Sequence, residues 1–254
     1  MSNFIEDRAI VNRGVNKTYT FRVQPQEVDF QYNITLSALT NILLTTAGFN
    51  ADENSFGIRD LNQLNCTWVL LRLSVEMKEF PKQYENINVE TWVENVGRAT
   101  TTRNFRIINS RHEEIGMATS NWAMINVETR RAQDLSLLVG IDGKGTGEKI
   151  PMEKGEKLQS VVGSPVDTFS VKYGHIDING HVNTMRYVEW ISNEIALEVY
   201  KVKKIKRFDI NFINEIYYGE EIRIFAENFH DDIFHFEIKK NDLSACKAKI
   251  LFED

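Results

Sequence analysis

Thr168-Phe169-Ser170-Val171, followed by Asp177-Ile178-Asn179-Gly180-His181-Val182-Asn183, decides how this chain is built, because it is the second occurrence of a pattern. Thr20-Phe21-Arg22-Val23 stands 148 residues earlier (168 − 20), and Asp29 stands the same distance before Asp177 (177 − 29 = 148). Each aspartate leads into apolar residues at helical spacing. These are Leu36, Leu39 and Leu43 in the first copy, and Met185, Val188, Ile191, Ile195 and Val199 in the second. The second helix also carries Tyr187, Trp190 and Leu197, and a helix apolar around most of its circumference is buried.

Strand patterns follow each helix. Leu71, Leu73, Val75 and Met77 alternate with polar residues, as do Ile87, Val89 and Val93. In the second half Phe208, Ile210 and Phe212 alternate, then Ile222 and Ile224, then Phe234, Phe236 and Ile238, then Cys246, Ala248 and Ile250. Period-two alternation marks strands with one buried face. The expected fold class is α+β, with two tandem domains, each a long buried helix wrapped by an antiparallel sheet. The expected boundaries are residues 1–138 and 161–254, joined by a linker over 139–160. The linker begins Gly140-Ile141-Asp142-Gly143-Lys144-Gly145-Thr146-Gly147 and reads as a flexible crossing. Its glycines have neither Walker A nor G-x-G-x-x-G spacing.

Composition narrows the function. The chain has 254 residues, 42% hydrophobic, with a net charge of −6, and that sign argues against a general nucleic-acid footprint. Cys66 and Cys246 form no C-x-x-C, and no Cys/His cluster has metal spacing, so no metal, no cofactor and a reducing, cytoplasmic setting are expected. Met1-Ser2-Asn3-Phe4-Ile5-Glu6-Asp7 lacks the basic and apolar regions of a secretory signal, and no apolar run is long enough for a membrane span.

The densest polar cluster lies between the second-copy strand and its helix, from His175 to Asn183. Asp177, Asn179 and His181 alternate, so an extended segment would aim all three to one side. Gly180 leaves room for substrate to approach the backbone. Asn183 is placed to cap the helix, and the N–H groups near Val182 and Asn183 are candidates to hold an oxyanion. An imidazole moves protons near neutral pH, a carboxylate supports its charged form, and amide donors hold developing negative charge. The first copy has Gln31 where the second has Asn179, and Asn33 where the second has His181. That difference points to a single active site, in the second half.

The run Asp177-Ile-Asn-Gly-His-Val-Asn-Thr-Met-Arg-Tyr-Val-Glu-Trp190 resembles the signature of the acyl-acyl-carrier-protein thioesterases, the plant and bacterial family with two fused hotdog domains. Trp68-Val69, Thr91-Trp92 and the stretch from Ser120 to Arg131 resemble further family strand positions. The resemblance implies a hotdog fold in each half and hydrolysis of the thioester joining a fatty acyl chain to the carrier's phosphopantetheine arm. It carries catalytic roles onto Asp177, Asn179 and His181, and places a catalytic glutamate on the strand after the helix, best matched by Glu215. Plant members have a cysteine after that glutamate; here the position is Ile216, which disfavours a Cys–His mechanism. It also implies an acyl carrier protein as partner and an acyl pocket in the first domain, for which Leu36, Leu39 and Leu43 are candidates.

The expected mechanism is direct attack by water. Glu215 activates it, His181 shares the base role or protonates the leaving thiolate, Asp177 orients His181, and Asn179 positions the carbonyl or the histidine. Aligning Ile222 with Ile87 (222 − 87 = 135) puts Phe80 opposite Glu215 and leaves 148 − 135 = 13 extra residues after the first helix, near Asn50 to Leu64, as a lid, pocket wall or surface loop. Lys201, Lys203, Lys204, Lys206 and Arg207 form a basic run that either complements a helix end or docks an acidic carrier. His175 reads as a turn cap, while the sequence around His112, His230 and His235 shows no catalytic pattern. Competing readings are an acyl-coenzyme A thioesterase, a hotdog hydratase or dehydratase, and a non-catalytic acyl-binding module. The oligomeric state is expected to be monomer or homodimer.

Overall fold

The computed structural model describes residues 16–229 and 232–254, so the N-terminal reading of residues 1–7 and His230 fall outside the described residues. The elements, in chain order, are β1 (Lys17–Arg22), α1 (Leu36–Glu53), α2 (Ile58–Asn62), β2 (Cys66–Met77), β3 (Asn86–Val96), β4 (Thr100–Asn109), β5 (Glu114–Asn126), β6 (Asp167–Ser170), α3 (Thr184–Asn193), α4 (Leu197–Val202), β7 (Lys204–Phe212), β8 (Glu221–Phe229), β9 (Ile233–Lys240) and β10 (Leu243–Glu253). The chain divides into two units, residues 1–70 with 78–152, and residues 71–77 with 153–254.

In the first unit the strand order is β1-β3-β4-β5-β2, and the β1–β3, β3–β4 and β4–β5 pairs are antiparallel. The helix α1 starts where Thr35 accepts the Ala38 N–H on its hydroxyl, 3.2 Å away. It buries Leu36, Leu39, Ile42 and Leu43 along one face, and Leu39 and Leu43 have no exposed surface. The second unit runs from the last residues of β2 through β7, β10, β9 and β8 to β6, antiparallel throughout. Phe208, Ile210, Phe236, Ile238, Ala248 and Ile250 are buried there, in line with the alternation of the sequence.

The second helix is shorter than its apolar spacing predicts. It ends at Asn193, and a separate short helix, α4, begins at Leu197 with no buried residue. Ser192 bonds back to the Val188 carbonyl at 2.8 Å, and the Tyr200 hydroxyl donates to the Ser192 carbonyl at 2.9 Å. A helix end leaves its last carbonyls unpaired, and the tyrosine satisfies one of them.

The extra residues after the first helix are helical and anchored to the core, not a surface loop. They form the last turns of α1 and all of α2, and Phe56 and Leu61 pack with Cys66, Val93, Met124, Leu135, Leu138 and Ile141. The linker is a pinned strap, not a flexible crossing. Within the first unit the Thr146 and Gly147 N–H groups donate to the Val93 and Glu94 carbonyls, and the Trp92 indole N–H donates to the Glu148 carbonyl at 2.8 Å. Within the second, Arg207 and Asn211 donate to the Glu153 and Glu156 carbonyls. A Cβ on Gly155 would stand 2.3 Å from Ser74 Oγ, so a side chain there would have to displace that hydroxyl from its bond to Asp209.

Leu61→Ala tests the buried insertion. Removing this side chain is expected to cost about 2–5 kcal/mol, read as a lower urea midpoint, whereas a surface loop would change stability by less than about 0.5 kcal/mol.

Candidate active site

The segment between β6 and α3 is a tight turn organised by one carboxylate. Asp177 Oδ1 accepts the backbone N–H groups of Asn179, at 2.8 Å, and His181, at 3.2 Å. The Asp177 N–H donates to the His181 carbonyl at 2.8 Å, closing the turn, and Gly180 takes a left-handed φ of +79°. The expectation of an extended segment is therefore corrected. Asp177 orients His181 through its backbone, and the alternation of Asp177, Asn179 and His181 belongs to a turn. Asn183 then caps α3, its Oδ1 accepting the Met185 N–H at 3.0 Å.

The first copy has the same turn. Asp29 Oδ1 accepts the N–H groups of Gln31, at 2.8 Å, and Asn33, at 3.0 Å, and the Asp29 N–H donates to the Asn33 carbonyl at 2.8 Å. The aspartate is thus an architectural feature of both copies. What differs is the side chain presented: Asn33 in one, His181 in the other.

His181 meets its carboxylate across a second segment. Just past the end of β7, Ile213 and Asn214 donate their backbone N–H groups to the Ala245 carbonyl of β10. Glu215 follows in this loop, beyond the strand on which the resemblance placed it. The Val182 N–H donates to the Ile216 carbonyl at 2.8 Å, and His181 bridges Tyr217. His181 Nε2 thereby comes to 3.5 Å from Glu215 Oε2, both side chains being partly exposed. Asn179 is exposed, with its Nδ2 3.5 Å from Asp177 Oδ2. Sequence reading missed Tyr217. Its hydroxyl donates to Glu215 Oε2 at 3.2 Å, and its ring meets the His181 ring edge to face with centroids 5.0 Å apart. The available signal was its two-residue spacing from Glu215, which puts both side chains on one side of an extended segment.

Two other expectations change. The Val182 N–H is committed to Ile216 and the Asn183 N–H to the His175 carbonyl at 2.9 Å, so neither is available for an oxyanion. The basic run is not one patch. Lys201 pairs with Glu198, Lys203 with Asp232, Lys206 with Glu253, and Arg207 with Glu76 and Asp209. Strand alternation turns Lys204 and Lys206 to solvent while Arg207, mostly buried, anchors the strap. Arg207 is structural, and its carrier-docking assignment is withdrawn.

Neither cysteine is a nucleophile candidate. Cys246 is fully buried and its thiol is pushed far up by burial, and the Cys66 thiol is raised for the same reason. Ile216 is fully buried as well. Among the described residues no group of three or more His, Cys, Asp or Glu side chains is arranged to hold a metal ion, and no helix is long and apolar enough to cross a membrane. His175 caps the short 3-10 turn that precedes the site, its Nδ1 accepting the Lys172 N–H at 3.1 Å, and its ring packs edge-on against Phe169 and Trp190.

A helix-capping turn and a returning loop thus bring an imidazole and a carboxylate together in the second of two repeated units. Family models identify the family. The model of the acyl-ACP thioesterase N-terminal domain matches residues 14–136 and that of the C-terminal domain matches residues 158–254, and the chain belongs to the acyl-ACP thioesterase family. An acyl-ACP thioesterase from Bacteroides thetaiotaomicron, known from its crystal structure, is similar to it with a TM-score of 0.89 and 42% identity, over 94% of this chain and 98% of that one. The 12:0-ACP thioesterase of Umbellularia californica shares the fold, with a TM-score of 0.85 at 18% identity over 95% of this chain and 98% of that one. The chloroplastic oleoyl-acyl carrier protein thioesterase of Coriandrum sativum is 25% identical in an alignment 232 residues long that covers 84% of this chain and 63% of the relative.

His175 gives the turn a pH dependence. Burial holds its pKa below the ordinary 6.5, and the nearby Arg186 and Lys172 push the same way against Glu189. The neutral ring accepts the Lys172 N–H, so the stabilisation is in place above the ordinary imidazole pKa and is lost as pH falls towards the lowered folded value. His175→Ala is expected to melt below the parent at about pH 7.5, with the gap narrowing at about pH 5; thermal melts at both values check it.

Proposed function

We propose that the protein hydrolyses the thioester between a fatty acyl group and the phosphopantetheine arm of an acyl carrier protein, releasing free fatty acid. We read the two units as tandem hotdog domains, the second holding the reaction and the first, a degenerate copy, holding the acyl chain; Leu39 and Leu43, with no exposed surface, belong to core packing and not to the acyl contacts. The observation that carries the reading is the 3.5 Å approach of His181 Nε2, on the turn, to Glu215 Oε2, on the returning loop, where the first copy has Asn33 and Phe80 instead. Membership of the family supplies the substrate class.

In this scheme water attacks the thioester carbonyl as its proton passes to the Glu215–His181 pair. The resulting tetrahedral oxyanion collapses, the C–S bond breaks, and the pair returns a proton to the leaving thiolate. Acid and thiol are the products, and the pair regains its starting protonation. With the Val182 and Asn183 N–H groups committed elsewhere, the exposed amide of Asn179 is assigned to the carbonyl oxygen. Asp177 holds the turn that aims both groups. Lys204 and Lys206, both exposed on β7, are assigned to the acidic carrier.

His181→Ala and Glu215→Ala are each expected to lower kcat by about 10²–10⁴-fold, followed as free acid and thiol released from an acyl carrier substrate. Parental turnover in both variants, or an unsaturated thioester as product, would remove the hydrolase assignment. Reversing Lys204 and Lys206 to glutamate is expected to raise KM for carrier-linked substrate several-fold while leaving acyl-coenzyme A unchanged; equal effects on both substrates would exclude docking there.

A further inference from the structure

We infer that Tyr217 is a positioning residue for the acid–base pair, holding the Glu215 carboxylate against the His181 ring; this rests on the hydrolase reading above. Tyr217 meets both members at once. Its hydroxyl donates to Glu215 Oε2 at 3.2 Å, and that same oxygen stands 3.5 Å from His181 Nε2. Its ring lies edge to face with the imidazole at an interplanar angle of 84°, fixing the tilt of the ring that must present Nε2 to the carboxylate. A glutamate side chain has several rotatable bonds, and a half-exposed one samples many rotamers unless something holds it. A donated hydrogen bond and a packed ring remove that freedom before substrate arrives, which is the condition for efficient proton transfer.

The tyrosine is itself held. Its N–H donates to Glu220 Oε2 at 2.7 Å, and its backbone bridges His181. Lys240 Nζ lies 4.9 Å from the centre of its ring and bonds to both Glu220 carboxylate oxygens at 3.1 Å. The ring therefore contacts both an ammonium group and an imidazole.

The first copy acts as an internal control. At the offset of 135, Lys82 takes the place of Tyr217 (217 − 135 = 82) and Glu85 that of Glu220 (220 − 135 = 85). The Lys82 N–H donates to Glu85 Oε2 at 2.9 Å, and Lys82 bridges Asn33 as Tyr217 bridges His181. The backbone of this loop thus forms with a lysine at the position. The tyrosine stands in the copy that also carries the histidine and the glutamate, so its ring and hydroxyl serve the pair and not the turn.

Tyr217→Phe keeps the ring and removes the hydroxyl. Its kcat is expected to fall about tenfold with KM within about twofold of the parent. Tyr217→Lys, which copies the first unit, is expected to keep the parental melting temperature and to lose more activity than the phenylalanine variant. Introduced into Glu215→Ala, where no carboxylate remains to be held, Tyr217→Phe is expected to change the residual kcat by less than about twofold. A Tyr217→Phe enzyme with parental kcat, or a loss of the same size in the Glu215→Ala background, would overturn the inference. The hydrolase reading fails separately, on parental turnover in His181→Ala and Glu215→Ala.

Discussion

A single carboxylate collecting two backbone N–H groups sets the geometry on which the rest of the site depends. Asp177 holds the Asn179 and His181 amides, and that fold of the chain sends Asn183 into position to cap α3 and turns His181 towards the loop after β7. A charged acceptor satisfying two donors in a partly exposed turn is a strong local constraint, because each amide would otherwise need water or another partner. The same constraint operates at Asp29, where it prepares the start of α1 without any chemistry attached.

Duplication explains how a site forms on one copy alone. The scaffold needs the aspartate turn, the N-cap and the glutamate that receives an amide from the returning loop, and both copies supply them. Four positions are then open to specialise: Gln31 and Asn179, Asn33 and His181, Phe80 and Glu215, Lys82 and Tyr217. In the second copy the last three of these become an imidazole, a carboxylate and a phenol in contact with one another. The first copy instead extends its helix and adds α2, filling its own core with Phe56 and Leu61.

The strap shows the other face of the second unit's sheet at work. Polar groups on the sheet that no helix covers, Ser74, Asp209, Asn211 and Glu237, are buried, and they bond to one another, to Arg207 and to the strap backbone. Burying such groups unpaired would be costly, so an ordered segment lies where composition alone suggested slack. The basic run shares that logic, since Arg207 belongs to the strap contacts and the lysines mostly to local ion pairs.

The sequence by itself determined the repeat, the order of helices and strands, and, through a family resemblance, the choice of His181 and Glu215 as candidates. Those features are encoded in periodicity and in short-range residue chemistry, which a linear reading captures. The turn that Asp177 closes was settled only by its hydrogen bonds. Tertiary structure alone decided the break between α3 and α4, the burial of the insertion, the pinning of the linker, the occupation of the Val182 and Asn183 amides, and the arrival of Tyr217 beside the pair. Each of these depends on which distant donor meets which acceptor, and hydrogen-bond partners many residues apart leave no periodic trace in the chain.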